Sequence, residues 1–246
     1  MPVDQPYKVR SLFISDVHLG SRKSQPCRLL EVLKAVEFDN LFILGDFLDL
    51  TSMRRGVHWT GDHSLVVQKV LRLSRKGVRV VYVLGNHDHY LRGLLEDGDV
   101  SLGGITICDE HVWTTASGER LYLTHGDYFD GFVRVGRILY TLGDISYELS
   151  MRVNRAYNRL RGFLGLEYWS LSAYLKSRVK NVVGFLSQYR SLAARVVQER
   201  GCDRIVMGHI HTPEIDGAYV NTGDFCESCS YVVERLDGVL ELKFVR

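Results

Sequence analysis

A chain of 246 residues with 46% hydrophobic content is long and apolar enough for one large α/β domain, or for a core with an inserted subdomain, and is not a disordered segment. A formal net charge of +2 gives no compositional bias toward nucleic acid or an acidic partner. Residues 1–10 carry no apolar leader, and no run approaches the ~20 apolar residues of a membrane span, so a cytoplasmic protein is expected.

Three apolar runs rich in β-branched and aromatic residues, Val9–Ile14, Leu41–Leu44 and Val78–Leu84, predict buried strands. Between them Arg28–Val36 and Ser64–Leu73 space apolar residues by three and four, as amphipathic helices do. The alternation predicts βαβ units and a largely parallel sheet. Further strands are expected at Ile105–Cys108, Val112–Thr115, Leu121–Thr124 and Arg204–Met207, and Tyr231–Leu236 should pair with Val239–Phe244 through a type I′ turn at Asp237-Gly238.

Between Phe129 and Arg195 the strand pattern gives way to helical spacing, as at Phe132, Val135, Ile138 and Leu142. The expected organisation is a core of residues 1–128 and 196–246 with a helical cap at 129–195. The cap carries 11 Lys and Arg against 4 Asp and Glu, leaving 20 against 25 elsewhere, so positive charge is concentrated there. Lys176, Arg178 and Lys180 lie on a helix whose other face bears Leu175, Val179 and Val182, a pattern suited to an anionic group next to acyl chains.

Each early strand ends in a loop with metal-ligating side chains: Asp16 and His18, then Asp46, then Asn86 and His87. His125 follows the Leu121–Thr124 strand, and His209 and His211 follow Arg204–Met207. Any one of these residues alone is more often a turn former or a surface histidine. Five such loops at the C-terminal edge of an α/β sheet, where sites are built, point to one metal centre. Five cysteines with no export signal do not predict a disulfide framework, and Cys226 and Cys229 form a lone CxxC that reads as ordinary thiols.

The blocks Ser15-Asp16-Val17-His18-Leu19-Gly20, Gly45-Asp46, Gly85-Asn86-His87-Asp88, His125-Gly126-Asp127 and Gly208-His209-Ile210-His211 resemble, in order, those of the calcineurin-like metallophosphoesterases. The resemblance implies a four-layer α/β sandwich, two mixed sheets flanked by helices, with a dinuclear site. One metal would take Asp16, His18 and His211, the other Asn86, His125 and His209, and Asp46 would bridge them. Mixed imidazole, carboxylate and amide ligands suit Mn²⁺, the first expectation, or Fe²⁺, Co²⁺ or Zn²⁺.

His87, beside a ligand, would stabilise the phosphate or protonate the leaving group, with Asp88 either its orienting partner or a turn or helix-cap residue. Asp49 and Asp127 are expected to support the ligands from behind or to hold the local structure. The insertion, the His-x-His-x-Pro ending at Pro213, and Gly223-Asp224 are similar to the UDP-2,3-diacylglucosamine diphosphatases, which cleave a nucleotide-linked diacyl sugar. Where that subfamily carries Arg after Gly-Asn, this chain has His87, as the wider family does. A phosphorylated small molecule or nucleotide-linked lipid is the expected substrate, with peripheral membrane contact through the cap and no nucleic acid; general phosphodiesterase, nuclease and inactive scaffold are the alternatives.

Overall fold

The structure is a computed structural model that describes residues 7–95, 98–130 and 189–245. Two compact units are present, residues 1–127 with 193–246, and residues 128–192. The strands are β1 (Tyr7–Ile14), β2 (Val36–Leu44), β3 (Arg79–Val83), β4 (Val100–Leu102), β5 (Ile105–Cys108), β6 (Glu110–Thr114), β7 (Arg120–Thr124), β8 (Arg204–Met207), β9 (Glu214–Asp216), β10 (Tyr219–Asn221), β11 (Ser230–Glu234) and β12 (Leu240–Phe244). Among the described residues the helices include α1 (Pro26–Ala35), α2 (Leu50–Met53) and α3 (Gly61–Arg75), with 3₁₀ helices at His89–Leu94 and Asp127–Phe129 and a further helical stretch at residues 189–199.

One sheet runs β12-β11-β1-β2-β3-β5-β4 and the other β6-β7-β8-β10-β9. Both are mixed. In the first, β1, β2, β3 and β5 are parallel neighbours and the outer pairs are antiparallel. In the second, β7-β8 and β8-β10 are parallel, flanked by antiparallel β6 and β9.

Towards their C-terminal ends, at residues 12–14, 41–44 and 80–83, the central strands are apolar without a break because both faces are buried. Leu12 and Ile14, Leu41 and Ile43, and Val80 and Tyr82 join Leu29, Leu33, Val66 and Val70 of α1 and α3 in one core. The alternating residues Phe13, Phe42, Leu44, Val81 and Val83 point the other way and pack with Leu121, Leu123, Val206 and Val220 of the second sheet. Glu234, fully buried, joins the sheets by accepting from Arg10 Nη1 at 2.6 Å, Ser11 Oγ at 2.5 Å, Trp113 Nε1 at 2.8 Å and the Ala116 amide at 2.8 Å.

Three local expectations change. Val36 does not end α1; it is extended, at φ −109° and ψ 128°, and opens β2, as its branched side chain favours. The β11–β12 connection is not a two-residue type I′ turn. Beyond the Glu234–Leu240 pair, Arg235 N donates to Val239 O at 2.9 Å, Gly238 alone carries a positive φ of 89°, and its amide bonds Arg235 O at 3.0 Å, which leaves a three-residue loop, 236–238, with Gly at its left-handed position. The short strands β4, β9 and β10 had no counterpart in the sequence reading.

The expected cap, including Lys176, Arg178 and Lys180, falls almost wholly on residues 131–188, outside the described residues. Among the described residues no helix is long and apolar enough to cross a membrane.

Candidate metal centre

The C-terminal ends of β1, β2, β3, β7 and β8 bring their loops together. Backbone hydrogen bonds lace the loops directly: Asp16 N to Gly45 O at 3.1 Å, His18 N to Asp46 O at 2.8 Å and Gly208 N to His125 O at 3.2 Å. The chain must bend sharply to do this. Among the described residues, Asp16, His18, Asp46, His209 and His211 all carry positive φ angles, from 50° to 69°, in the left-handed region that side chains ordinarily avoid.

Three glycines let the loops close. A Cβ at Gly45 would stand 2.3 Å from His125 Nδ1, one at Gly85 2.3 Å from Asp46 Oδ1, and one at Gly208 2.2 Å from Asp16 Oδ2 and Ser15 Oγ.

Six of the seven expected ligands are linked by these contacts. Asp16 Oδ1 lies 3.1 Å from His211 Nε2 and 3.8 Å from His18 Nε2. Asp46 Oδ2 lies 3.7 Å from His18 Nε2 and 3.5 Å from His125 Nε2. His125 Nε2 is 3.2 Å from Asn86 Oδ1, and its Nδ1 is 2.8 Å from Leu44 O, which fixes the ring. His209, the seventh, packs its ring 5.0 Å from that of His125, and its amide donates to Asp16 Oδ2 at 2.9 Å. The sets Asp16–His18–His211 and Asp16–Asp46–His125 each gather ligand atoms within 4.8 Å of one another.

Electrostatics show what the cluster needs. Burial pushes the Asp16 carboxyl up, yet His211, His125 and His18 outweigh it and hold the group well below the usual carboxylate range. Burial likewise opposes ionisation of Asp46, and His125 overcomes it. Burial pushes the His125 imidazole down, but the carboxylates, Asp46 foremost, raise it to about 10. His211 is raised by Asp16 in the same way against burial.

Even so, Asp16 Oδ1 is buried without a hydrogen bond, although His211 Nε2 lies 3.1 Å away. A buried carboxylate oxygen with no donor is costly. Ligand atoms each ~2.1 Å from one ion stand roughly 3–4 Å apart, and the donor atoms here have that spacing. The donor set fits divalent metal.

His87 does not pair with Asp88. Its Nδ1 lies 2.7 Å from Asp49 Oδ1, while Asp49 Oδ2 is 3.6 Å from His18 Nδ1. Asp49 also caps α2 by accepting from Ser52 N at 2.8 Å. The Asp49 contact, then burial working against it, then Asp46 set the His87 pKa, and the net direction is up.

Asp88 points away into the core, where it accepts from Phe47 N at 3.0 Å, Gly85 N at 2.5 Å and the Tyr82 hydroxyl. It braces the loops of Asp46 and Asn86. The expected pairing of His87 with Asp88 is replaced by one with Asp49, because the chain bends over residues 86–88, and Asp88 stands instead at the start of the 3₁₀ helix, the turn or cap position that was its alternative.

Asp127 pairs with Arg92 at 3.1 Å, and its charge is among those that raise the His125 pKa. Asp224, fully buried, binds its own loop through the amides of Cys226 at 2.7 Å and Glu227 at 2.5 Å, and sets Oδ2 3.9 Å from His211 Nδ1. That loop returns to the centre, with Phe225 N donating to Asp16 O at 3.1 Å. Cys226 and Cys229 are free, and burial raises both thiols, which keeps them in the unreactive form.

A family model described as calcineurin-like phosphoesterase matches residues 9–213. The chain is 25% identical over 227 residues to a UDP-2,3-diacylglucosamine hydrolase of Aliivibrio fischeri, covering 82% of each chain. It is 26% identical over 249 residues to the enzyme of that name from Aeromonas hydrophila, covering 92% of this chain and 94% of the relative. A third, from Pseudomonas savastanoi pv. phaseolicola, is 27% identical over 220 residues, covering 83% and 80%.

Proposed function

Because the chain belongs to the calcineurin-like phosphoesterase family, and is a metal-dependent phosphoester hydrolase, we propose that it holds two divalent ions and cleaves the diphosphate of a nucleotide-linked diacyl sugar of the UDP-2,3-diacylglucosamine type. The observation that carries the dinuclear reading is the convergence of Asp16, His18, Asp46, Asn86, His125, His209 and His211, with Asp46 Oδ2 within 3.7 Å of imidazoles from both proposed sets. Asp16, His18 and His211 would hold one ion, Asn86, His125 and His209 the other, and Asp46 both, with Mn²⁺ the first metal to try. When bound, such ions supply an activated water and a counter-charge for phosphate oxygens.

The chain's own residues do the remaining work. His87 keeps a proton on Nδ1 for Asp49, so its other nitrogen can hold an anionic oxygen or pass a proton to the leaving group. Asp49 thereby plays the part of an orienting carboxylate, and Asp88 fixes the spacing of the two ligand loops from below. The cap, residues 129–195, would select the substrate, with Lys176, Arg178 and Lys180 meeting its anionic part.

The diacyl sugar reading rests on similarity to the hydrolases of that name. A broader phosphodiesterase reading is favoured by one residue, His87, which stands where that subfamily carries Arg.

The test is metal analysis of active protein with a substrate panel: UDP-2,3-diacylglucosamine, bis-p-nitrophenyl phosphate and single-stranded DNA, with Mn²⁺ and with chelator. Two ions per chain and preferred turnover of the lipid are expected. Fewer than two ions in active protein would remove the dinuclear reading, and turnover of the simple ester alone would leave only the broader one.

A further inference from the structure

The first sheet ends at β12, and among the described residues no strand pairs with the outer side of β12. Its bonds to β11 show which backbone groups are left over. Arg235 N donates to Val239 O and Val245 N to Cys229 O, each at 2.9 Å, so the hydrogen-bonded positions of this antiparallel ladder are the odd-numbered ones, with Glu241 opposite Val233 and Lys243 opposite Tyr231. Leu240, Leu242 and Phe244 fall between them, and their N–H and C=O groups point to the open edge.

The side chains alternate as well. Leu240 and Leu242 turn toward the core between the sheets, and Phe244, on the same face, is 54% exposed. Glu241 and Lys243 take the other face, where the Glu241 carboxylate meets Lys243 Nζ at 2.5 Å and Arg235 Nη1 at 3.1 Å. Edge strands are commonly defended by proline, a bulge or charged side chains. β12 has no proline and its register with β11 is unbroken, which leaves Glu241 and Lys243, of opposite sign, as its defence.

That defence fails against one partner. When two copies of Leu240–Phe244 run antiparallel about a twofold axis at Leu242, Leu242 faces Leu242, Leu240 faces Phe244, and each Glu241 faces the Lys243 of the other copy. An axis one residue to either side sets Glu241 on Glu241 or Lys243 on Lys243 instead. The open N–H and C=O groups of Leu240, Leu242 and Phe244 satisfy one another in the Leu242 register.

We propose that two copies of this chain pair edge to edge through β12, continuing the first sheet across a twofold axis. Opposite charges directly across an antiparallel pair attract and like charges repel, so the pattern selects a second copy in a single register. β12 runs parallel to β1, whose C-terminal end carries Asp16 and His18, so the antiparallel copy turns its own ligand loops to the opposite end of the joined sheet. Pairing through this edge should therefore leave turnover per chain unchanged. The proposal stands on this strand alone and does not require the diacyl sugar reading.

Sedimentation velocity of the metal-loaded full chain over a wide concentration range should show a monomer–dimer equilibrium. Glu241→Lys alone and Lys243→Glu alone each set like charges across both contacts, and each should raise the dissociation constant on the order of 10–100-fold. Mixed together, the two variants should associate with each other, because every contact then joins opposite charges, and the double variant should recover self-association. Hydrolysis of bis-p-nitrophenyl phosphate per chain should be the same in all of them.

If either single variant does not fold, hydrogen exchange in the unsubstituted chain decides: the amides of Leu240, Leu242 and Phe244 should be protected at high concentration and lose protection on dilution. A chain monomeric at every concentration would overturn the proposal, whether the edge is then bare or taken by a foreign strand. So would a dimer that neither substitution weakens, mixed variants that associate no better than each alone, or amides whose exchange ignores concentration.

Discussion

The contact between Asp49 and His87 allows a prediction with a built-in control. Asp49→Asn keeps a carbonyl oxygen for the Ser52 amide at the start of α2 but removes the charge 2.7 Å from His87 Nδ1. Hydrogen bonds to charged groups contribute about 1.5–3 kcal/mol, and this one is the largest influence raising the His87 pKa. If His87 acts while protonated, activity falls as pH rises through its pKa, so the variant's alkaline limb should move to lower pH. Turnover at neutral pH should drop by roughly 10–100-fold, the rate equivalent of that energy.

Asp49→Ala should add the loss of a helix cap, about 1 kcal/mol, seen as a lower Tm. The assay is kcat against pH on a soluble phosphodiester, at saturating metal, with metal content checked. An alkaline limb in Asp49→Asn that coincides with the unsubstituted protein's would refute the orienting role.

Three further outcomes are expected. His87→Ala should retain both ions by elemental analysis while lowering kcat by roughly 10²–10⁴, the range for a lost general acid; loss of metal would make it a ligand instead. Gly208→Ala places a Cβ 2.2 Å from Asp16 Oδ2 and Ser15 Oγ, so it should displace Asp16 and weaken metal binding, which calorimetric titration would detect.

Metal must also displace the proton that His125 keeps up to about pH 10, so affinity should rise about tenfold per pH unit from neutrality to that value. In metal-free protein the sign reverses. The raised His125 pKa stabilises the fold fully below the ordinary value of 6.5, and that contribution is lost as pH rises through about 10. A metal affinity that did not vary with pH would exclude His125 as a ligand.

The candidate ligands were legible because each follows an uninterrupted apolar strand, and strand ends are where a buried sheet releases its chain to the surface. Asp49 was less so. Its spacing three residues before Ser52 reads as a helix cap, which it is, and nothing local shows that its other partner is His87, 38 residues on. Asp88 misled for the converse reason, since adjacency in sequence implied contact where the backbone turns the side chains apart. Strands such as Glu214–Asp216 and Tyr219–Asn221 span three residues each, too few to display a period of two. β10 is placed by pairing with β8, a tertiary contact that no short window contains, and β9 joins the sheet only through β10.

The left-handed backbone of Asp16, His18, Asp46, His209 and His211 has a consequence for how this protein tolerates change. Each such residue holds about 1–2 kcal/mol of backbone strain that Gly would relieve. Selection for thermal robustness and selection for turnover therefore pull these positions in opposite directions. Glycine at one of them removes a candidate ligand yet eases the bend, so loss of activity and gain in melting temperature can arrive in a single substitution. A library screened only for heat resistance would tend to silence the enzyme first at the ends of β1, β2 and β8, which makes retained metal binding the necessary companion readout in any stabilisation of this fold.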